Sequence, residues 1–415
     1  MVRLAHDNPG SARASVSDLS NATGSVSARV AAGPACVVGF GPMPPLDSLA
    51  DEWRNLQSRA HGSFFTSWTW IGRWLASLPA DIPRALLRVE AAGRVVGLAV
   101  VCNRVQKWRA LFGSSRVLYV NCTGDASLDE LTIEYNGLLT EAGLEQAVLV
   151  AAMKHLAQDR GWDEIYLNGW ERVDLLDSCM ALETGTRLVE RSRRPCHRVN
   201  LQTLRESGLS YIESPPRKIC HKLGRVLREA QRAGGHTLDI AADEAQASEY
   251  LRELVWLHQQ SWVERGQKGA FANPFLHAFH AELVADPASL GAVQLARVRV
   301  GGTAVGYVYN FIHRSHVYNY QSGFDYGFSS GAGWRPGVMC HALVIELNRR
   351  LGMTVYDLLA GDQAYKRELG TESTHLAWMT LQRDRRKFRL EAALRSLHAT
   401  CVATWQRCVR RARES

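Results

Sequence analysis

Two ten-residue stretches of the chain share one pattern of apolar and polar positions. Residues 88–97 read RVEAAGRVVG and residues 297–306 read RVRVGGTAVG, so five of the ten positions are identical. Each stretch has apolar positions on both sides of a glycine-containing turn, and each leads into a further apolar run. The pattern therefore predicts a β-hairpin in each half of the chain.

The agreement between the two halves continues downstream of the hairpins. Helical spacing of apolar residues over 144–158 leads through Gly161 to a short apolar strand, and the same order recurs from 338–350 through Gly352. Each half thus predicts hairpin strands, a further strand, a helix and a returning strand, as an internal duplication would give. We expect an α/β (α+β) fold of two tandem units, each with a mixed central sheet flanked by helices.

Composition and breaker residues divide the chain into four segments. Residues 1–35 are rich in Ser, Ala and Gly without a sustained period, which is typical of a flexible tail. A Ser-Pro-Pro stretch at 214–216 interrupts regular structure, so we expect a first unit over 36–205 and a second over 206–382. Over 383–415, apolar residues three or four apart alternate with Arg and Lys, which predicts a basic amphipathic helix.

The excess of positive charge is concentrated in the C-terminal segment. The formal net charge is +8, and the segment 383–415 holds ten Lys or Arg against three Asp or Glu, so the rest of the chain is nearly neutral. This distribution is weak evidence for nucleic-acid binding, and we expect no stable nucleic-acid partner. The basic helix could lie on anionic lipid, contact a partner such as a synthase, or pack on its own domain.

Cysteine spacing and hydropathy exclude other classes of protein. The nine cysteines are an odd number at irregular spacing without a C-x-x-C motif, which argues against a disulfide framework and fits a reducing cytosol. No apolar run approaches the ~18–20 residues of a membrane span, and the first twenty residues lack an apolar signal segment. We therefore expect a cytoplasmic protein.

A loop of small residues over 329–335 stands between a predicted strand and a helix that is expected to begin near Pro336. A helix N-terminus offers free N–H groups and the positive end of the helix dipole, a geometry that suits a pyrophosphate. A simple N-terminal turn, with proline in the first turn, is the alternative. The loop is neither a Walker A motif nor a dinucleotide fingerprint, because it lacks the Gly-Lys-Ser/Thr ending and an acidic ribose partner.

Several short motifs occur along the chain in the same order as in a known family. They are Phe64-Phe65-x-Ser67-Trp68-x-Trp70, Leu257-His258-x-x-Ser261-Trp262-x-x-Arg265-Gly266, Tyr320-x-Ser322-Gly323-Phe324-Asp325, Arg335-Pro336-Gly337 and Tyr356-Asp357-x-x-x-Gly361-Asp362-x-x-Tyr365-Lys366. The second half resembles a GNAT-type acyltransferase domain and, more narrowly, the CelD/BcsL-like group, whose domain is also called BioF2-like. That group is related to the Fem aminoacyl transferases, which hold two GNAT units. The resemblance covers about residues 50–380.

The resemblance implies two tandem GNAT-like units, of which the second is catalytic and the first degenerate. It also implies acyl-CoA, first of all acetyl-CoA, as the co-substrate, with no metal. The pantetheine arm would lie between diverging strands over 316–323 and 354–359, and the pyrophosphate would rest on the loop before the following helix. The residues expected to bind this donor are Gln321, Ser322, Gly323, Trp334, Arg335, Gly337 and Val338.

Three residues are expected to carry the chemistry that the resemblance implies. Tyr365 would protonate the leaving thiolate, Lys366 would stabilise the tetrahedral oxyanion, and Asp357 would accept the proton of the acceptor. A packing tyrosine, a surface ion pair and a turn cap are the respective structural alternatives. Glu134, in the first half, is a further acid/base candidate.

The acceptor site is expected to draw on the second half of the chain. The basic helix that begins at Arg217 is either a solvated amphipathic helix or a cationic arm over an anionic substrate, and both interpretations stay open. Two His pairs, 277/280 and 313/316, lack an accompanying ligand with metal-site spacing, so no metal is expected. The residues expected to contact the acceptor are Arg217, His258, Trp262, Arg265, Tyr320 and Asp325.

The expected function is N- or O-acyl transfer from acyl-CoA to an amine or hydroxyl. The acceptor would be a small molecule or a glycan precursor of exopolysaccharide or cell-envelope biosynthesis, in a bacterial cytoplasm or at the adjoining membrane surface. One alternative is a Fem-like transferase that uses aminoacyl-tRNA, which makes tRNA a partner. The other alternative is a non-catalytic GNAT-derived scaffold, for which an occluded donor cleft is expected.

Overall fold

The computed structural model describes residues 35–109, 113–131, 133–180, 185–329, 331 and 333–394. The expected N-terminal tail, apart from Ala35, and residues 395–415 of the expected C-terminal helix lie outside the described residues, whereas a helix is present over 386–394. The strands are β1 Cys36–Pro42, β2 Arg84–Ala91, β3 Arg94–Arg109, β4 Gly113–Val120, β5 Leu139–Thr140, β6 Glu164–Trp170, β7 Thr186–Asn200, β8 His236–Ile240, β9 Val293–Val300, β10 Thr303–His313, β11 His316–Phe324, β12 Val355–Ala360 and β13 Glu372–Arg383. The helices are α1 Leu46–Arg59, α2 Trp68–Ser77, α3 Glu145–Gln158, α4 Val173–Met180, α5 Leu201–Glu206, α6 Arg217–Arg232, α7 Glu244–Glu264, α8 Pro274–Ala285, α9 Pro336–Arg350 and α10 Ala364–Leu369.

The two predicted hairpins are present at equivalent places. β2 pairs with β3 through a turn at Ala92-Gly93, and β9 pairs with β10 through a turn at Gly301-Gly302. Both central residues of each turn have positive φ, the conformation that matches the twist of a two-residue hairpin and that glycine adopts without strain. The mixed α/β fold expected from the duplication is therefore confirmed. The element order β-α-α-β-β-β-α-β-α-β occurs in both halves, apart from the additional two-residue strand β5 before α3 in the first half.

All strands join one mixed sheet in which the last strand of each half is exchanged. The order is β1-β2-β3-β4-β6-β13-β7-β12-β11-β10-β9-β8, with β5 beside β3. β7 leaves the first half to pair with β12, and β13 returns from the second half to pair with β6. These two strands also pair with each other along their length, so hydrogen bonds across the centre of the sheet link the halves.

Helices cover both faces of the sheet and divide the core into three parts. On one face α1, α2, α7 and α8 contribute to a single core that includes Trp53, Trp70, Tyr250, Phe279 and Phe311. On the other face α3 covers the first half, while α6 and α9 cover the second. The shared core on the first face explains the aromatic run after α1, because its rings pack against strands of the other half.

The basic helix predicted to begin at Arg217 is α6. Its apolar positions Ile219, Leu223, Val226 and Ala230 are buried at helical spacing, and its Lys and Arg residues face solvent. None of the helices in the described part of the chain is long and apolar enough to span a membrane.

Candidate active site

Strands β11 and β12 run parallel for only three residue pairs and then separate. His316, Val317 and Tyr318 pair with Val355, Tyr356 and Asp357. Beyond these pairs, among the described strands, β11 keeps only β10 as a partner and β12 keeps only β7. The separation follows from the backbone of β12, where Leu359 has a φ of 61° and the register with β7 shifts. A left-handed residue cannot continue a regular ladder, so the edge of β11 is left without a strand partner.

A cavity of about 330 Å³, here called the C-terminal cavity, opens where these strands diverge. Its walls come from the end of β11, the first two turns of α9, the C-terminal half of α7, and α10. Ile219 of α6 completes the lining. Most of the residues expected for the donor and half of those expected for the acceptor thus meet in one place, although they come from elements far apart in sequence.

The first turn of α9 faces the C-terminal cavity. Pro336 occupies the first helical position, and Gly337 and Val338 line the cavity behind it. A Cβ at Gly337 would approach the Phe324 ring to 3.2 Å, so glycine allows the strand end and the helix to lie close together. The helix therefore presents its N-terminal end to the cavity, which favours anionic groups there.

Ten of the residues expected at the site line this cavity. They are Gln321, Ser322, Gly323, Arg335, Gly337, Val338, His258, Trp262, Arg265 and Tyr365. Trp334, expected among the donor residues, is instead buried beneath the loop, where its indole N–H donates to the carbonyl of Asp325 at 2.9 Å.

Three of the residues expected to contact the acceptor lie elsewhere. Arg217 is exposed at the start of α6, and Tyr320 packs among the rings of the shared core. Asp325 accepts a hydrogen bond from the backbone of Gly327 at 2.8 Å and so closes a turn.

His258 is held by its neighbours in a neutral state. The indole of Trp262 donates to Nε2 of His258 at 2.9 Å, and Nδ1 lies 3.2 Å from the side-chain oxygen of Gln259. Burial also lowers the pKa of His258. Because its accepting nitrogen is already engaged, His258 orients Trp262 at the cavity wall rather than acting as a free base.

Tyr365 lies at the cavity with its ring stacked on His341. The two ring centroids are 5.5 Å apart and the planes differ by 14°. Burial raises the pKa of Tyr365 to about 12, so the phenol keeps its proton at neutral pH. Burial also lowers the pKa of His341 to about 4, which keeps this imidazole neutral. Tyr365 can therefore donate a proton to a leaving group in the cavity.

Lys366, which follows Tyr365 in α10, forms with Glu134 and Asp357 a group that we call the buried charge cluster. Lys366 Nζ donates to the carbonyls of Leu359 and Ala360 at 3.2 and 2.9 Å, and the backbone N–H of Ala360 donates to Glu134 at 2.6 Å. Burial raises the pKa of Glu134 to about 7, against the charge of Lys366, and it lowers the pKa of Lys366. A carboxyl group with a pKa near 7 is suited to accept and release a proton at neutral pH.

Asp357 connects this cluster to a second cavity. Its side chain accepts from the backbone of Leu359 at 2.7 Å and from the phenol of Tyr135 at 2.5 Å, and it lies 3.5 Å from His316. Tyr135 and His316 line the second cavity, of about 500 Å³, which we call the junction cavity because both halves contribute to it. Asp357 itself is fully buried, so a ligand would reach it only through its neighbours.

Several cavity residues carried no signal in the sequence. His341 lies in the apolar pattern of α9, and Glu368 and Tyr326 follow no motif. Tyr135 lies in the segment that also holds Glu134, which the sequence indicates as an interface segment without assigning the tyrosine a role. Its φ of 49° is unusual for a residue other than glycine. Among the described residues no group of three or more His, Cys, Asp or Glu is arranged to hold a metal ion.

Comparison with known proteins agrees with this architecture. Residues 217–367 match the model of the family described as an acetyltransferase (GNAT) domain. This stretch of the second half is therefore similar to a GNAT acetyltransferase domain, and the match covers less than half of the chain. No curated protein matches the sequence.

Solved structures share the fold at low sequence identity. FemX superposes with a TM-score of 0.51 at 12% identity, covering 82% of this chain and 96% of its own. The C-terminal domain (DUF2156) of a putative lysylphosphatidylglycerol synthetase from Agrobacterium fabrum gives 0.50 at 11% identity, covering 86% and 96%. A conserved protein of unknown function from Bacteroides thetaiotaomicron gives 0.50 at 10% identity, covering 84% and 100%. The likeness extends over both halves of the chain and concerns the fold.

Proposed function

We propose that the chain is an acyltransferase that moves an acyl group from acyl-CoA, first of all acetyl-CoA, to an amine or hydroxyl acceptor. The acceptor class is a small molecule or a glycan precursor, in exopolysaccharide or cell-envelope synthesis of the CelD/BcsL-like kind. The reaction would take place in the cytoplasm or at the membrane surface.

One observation carries the proposal. The C-terminal cavity lies where β11 and β12 diverge, at the N-terminus of α9, and Tyr365 stands at its wall. An unpaired strand edge can hydrogen-bond an extended amide-bearing arm in the way a neighbouring strand would. The helix N-terminus suits the phosphates at the other end of such an arm.

The chemistry follows from these positions. The acceptor nitrogen or oxygen attacks the thioester carbon, and the carbonyl electrons move to oxygen, where N–H groups of the β11 edge near Ser322 stabilise the charge. The carbon–sulfur bond then breaks and the thiolate takes the proton of Tyr365. The proton that the acceptor loses passes to the buried charge cluster, where Glu134, whose pKa burial raises to about 7, is the proposed final base.

The geometry of the C-terminal cavity argues against one of the two alternative functions and is compatible with the other. A non-catalytic scaffold is expected to have an occluded donor cleft, and the open volume of the C-terminal cavity argues against it. Transfer from aminoacyl-tRNA is favoured by the exposed cations of α6, because a basic helix beside the cavity suits any polyanionic donor.

The test is direct. Purified full-length protein should gain thermal stability with acetyl-CoA and not with tRNA, because a ligand that binds the native state raises its melting temperature. Mass spectrometry of amine and hydroxyl acceptors incubated with acetyl-CoA should detect acetylation. Stabilisation by aminoacyl-tRNA alone would contradict the proposal and support the tRNA-dependent alternative.

A further inference from the structure

Helix α6 links the two repeated units and has no counterpart among the described residues of the first half. Its sequence holds six Lys or Arg and one Glu in sixteen residues. Its apolar side is buried, so these charges are confined to the outer faces. Charges spread over the outer faces would be enough to keep such a helix soluble. Cations that gather beside a cavity instead indicate that they bind a ligand there.

One face of α6 contacts residues around the mouth of the C-terminal cavity at three positions along the helix, Lys222, Arg225 and Glu229. Lys222 Nζ contacts both carboxylate oxygens of Glu368, a cavity residue, at 2.7 Å. Two turns further on, Glu229 accepts a hydrogen bond from Ser329, in the loop that leads to α9.

Arg225 lies between these two contacts. A Cβ at Gly333 would come within 2.6 Å of its Cγ and Cδ, so glycine is needed for the loop to lie against the arginine. The stem of Arg225 is thus packed beside the N-terminal end of α9, with its guanidinium at the exposed surface.

The cations around this mouth outnumber the available carboxylates. Arg265 and Arg335 line the cavity, and Arg225 lies beside the loop that leads to α9. The exposed Lys218 stands one turn before Lys222, on the same side of α6. Within the described ranges, no carboxylate forms an ion pair with any of these four. Of the two carboxylates described above, Glu368 forms an ion pair with Lys222, and Glu229 accepts a hydrogen bond from Ser329.

We infer that this face of α6 binds the outer phosphates of the donor, the diphosphate and ribose phosphate of an acyl-CoA, through Arg225 and Lys218. The inference rests on the proposed function and deepens it, because it assigns recognition of the nucleotide end to α6, which has no counterpart among the described residues of the first half. Arginine suits this role, since its planar fork matches phosphate oxygens and stays charged at every relevant pH.

The experiment uses the full chain and three donors of increasing length: acetyl-4′-phosphopantetheine, acetyl-3′-dephospho-CoA, which adds the second phosphate and the adenosine, and acetyl-CoA, which adds the 3′-phosphate. Dissociation constants are measured by calorimetry for the wild type, for the double variant Lys218→Gln/Arg225→Gln, and for Arg228→Gln/Arg232→Gln. The last pair removes the same charge from the same helix and is the matched control. Unchanged thermal unfolding establishes that the variants are folded.

We expect the wild type to bind acetyl-CoA at least about tenfold more tightly than acetyl-4′-phosphopantetheine. The Lys218/Arg225 variant should lose most of this preference and bind acetyl-4′-phosphopantetheine as the wild type does, while the control keeps the preference. Equal affinity of the wild type for the three donors overturns the inference, as does a preference retained by the Lys218/Arg225 variant or lost equally by the control. If the wild type binds none of the donors, the proposed function fails together with it.

Discussion

Tyr135 donates its phenolic hydrogen to Oδ2 of Asp357 at 2.5 Å, across 222 positions of sequence and from one half of the chain to the other. Both side chains are buried, and Asp357 stands two residues before Leu359, where β12 bends and the C-terminal cavity opens. The first half thus fixes the strand end on which the cavity of the second half is built.

Replacing Tyr135 with Phe should destabilise the protein by about 1–3 kcal/mol, because a buried carboxylate loses a hydrogen-bond donor. Urea unfolding followed by circular dichroism measures the change. Tyr326→Phe, at an exposed tyrosine, is the matched control and should stay within about 0.5 kcal/mol of wild type. Equal stability of Tyr135→Phe and wild type would show that the contact contributes nothing.

The pKa of Glu134, raised by burial to about 7, predicts opposite pH dependences of stability and activity. The fold favours the protonated carboxyl, so its stabilising effect is complete below about pH 4.5 and is lost as the pH rises through about 7. Activity that needs the carboxylate should instead rise over the upper part of this range.

Glu134→Gln keeps an oxygen that can accept from Ala360 but cannot titrate. We expect the variant to lose both pH dependences. Its free energy of unfolding should decline less steeply as the pH rises toward 7, and its kcat/KM should no longer rise near pH 7. A limb that persists in the variant would exclude Glu134 as the base.

Lys366 should act on the reaction through Glu134. Its positive charge lowers the pKa of that carboxyl, so Lys366→Met should move the rising limb of the kcat/KM profile to higher pH. The variant also leaves the carbonyls of Leu359 and Ala360 without their donor, and we expect a melting temperature several degrees lower. An unmoved limb would indicate that the ammonium does not influence the titrating group.

Tyr365→Phe should lower kcat by at least about tenfold, a loss of about 1.4 kcal/mol of transition-state stabilisation, because it removes the proton donor and keeps the ring on His341. Steady-state kinetics with acetyl-CoA measure the change. Tyr326→Phe alters another tyrosine of the same cavity and should have a much smaller effect. Comparable losses in both variants would contradict a specific role for Tyr365.

Exchange of β7 and β13 predicts that neither half folds alone. A fragment of residues 206–394 lacks the strand that pairs with both β12 and β13, so it should show little cooperative thermal unfolding. Co-expressed fragments 36–205 and 206–394 should associate and recover the full-length unfolding transition. A cooperative, monomeric 206–394 fragment would show that the second unit is self-sufficient.

Local pattern was enough to predict the repeated part of the fold. The turns at Gly93 and Gly301-Gly302, the helices α3 and α9, and the strand–helix order were readable because apolar period and turn chemistry act over a few residues. The resemblance carried by Ser322-Gly323 and Arg335-Pro336-Gly337 also indicated residues that line one cavity.

Long-range features escaped prediction for a physical reason. The pairing of β7 with β12 is decided by packing between elements about 150 residues apart, and no local pattern encodes it. The same holds for the contact of Tyr135 with Asp357 and for His341, whose position in an apolar helix gives no sign that it lines a cavity. The hydrogen bond that occupies His258 likewise depends on the rotamer of Trp262.

The exchanged strands also bear on how such a chain can arise. If two identical single units traded their last strands, the resulting homodimer would already have the order β4-β6-β13-β7-β12-β11 at its centre. Joining the two genes through a segment such as 201–216 would then require no new strand pairing. Once fused, the two copies could diverge in sequence. The second copy would keep the glycine-rich loop before α9, and the first copy would supply Glu134 and Tyr135, which contact Ala360 and Asp357 of the second.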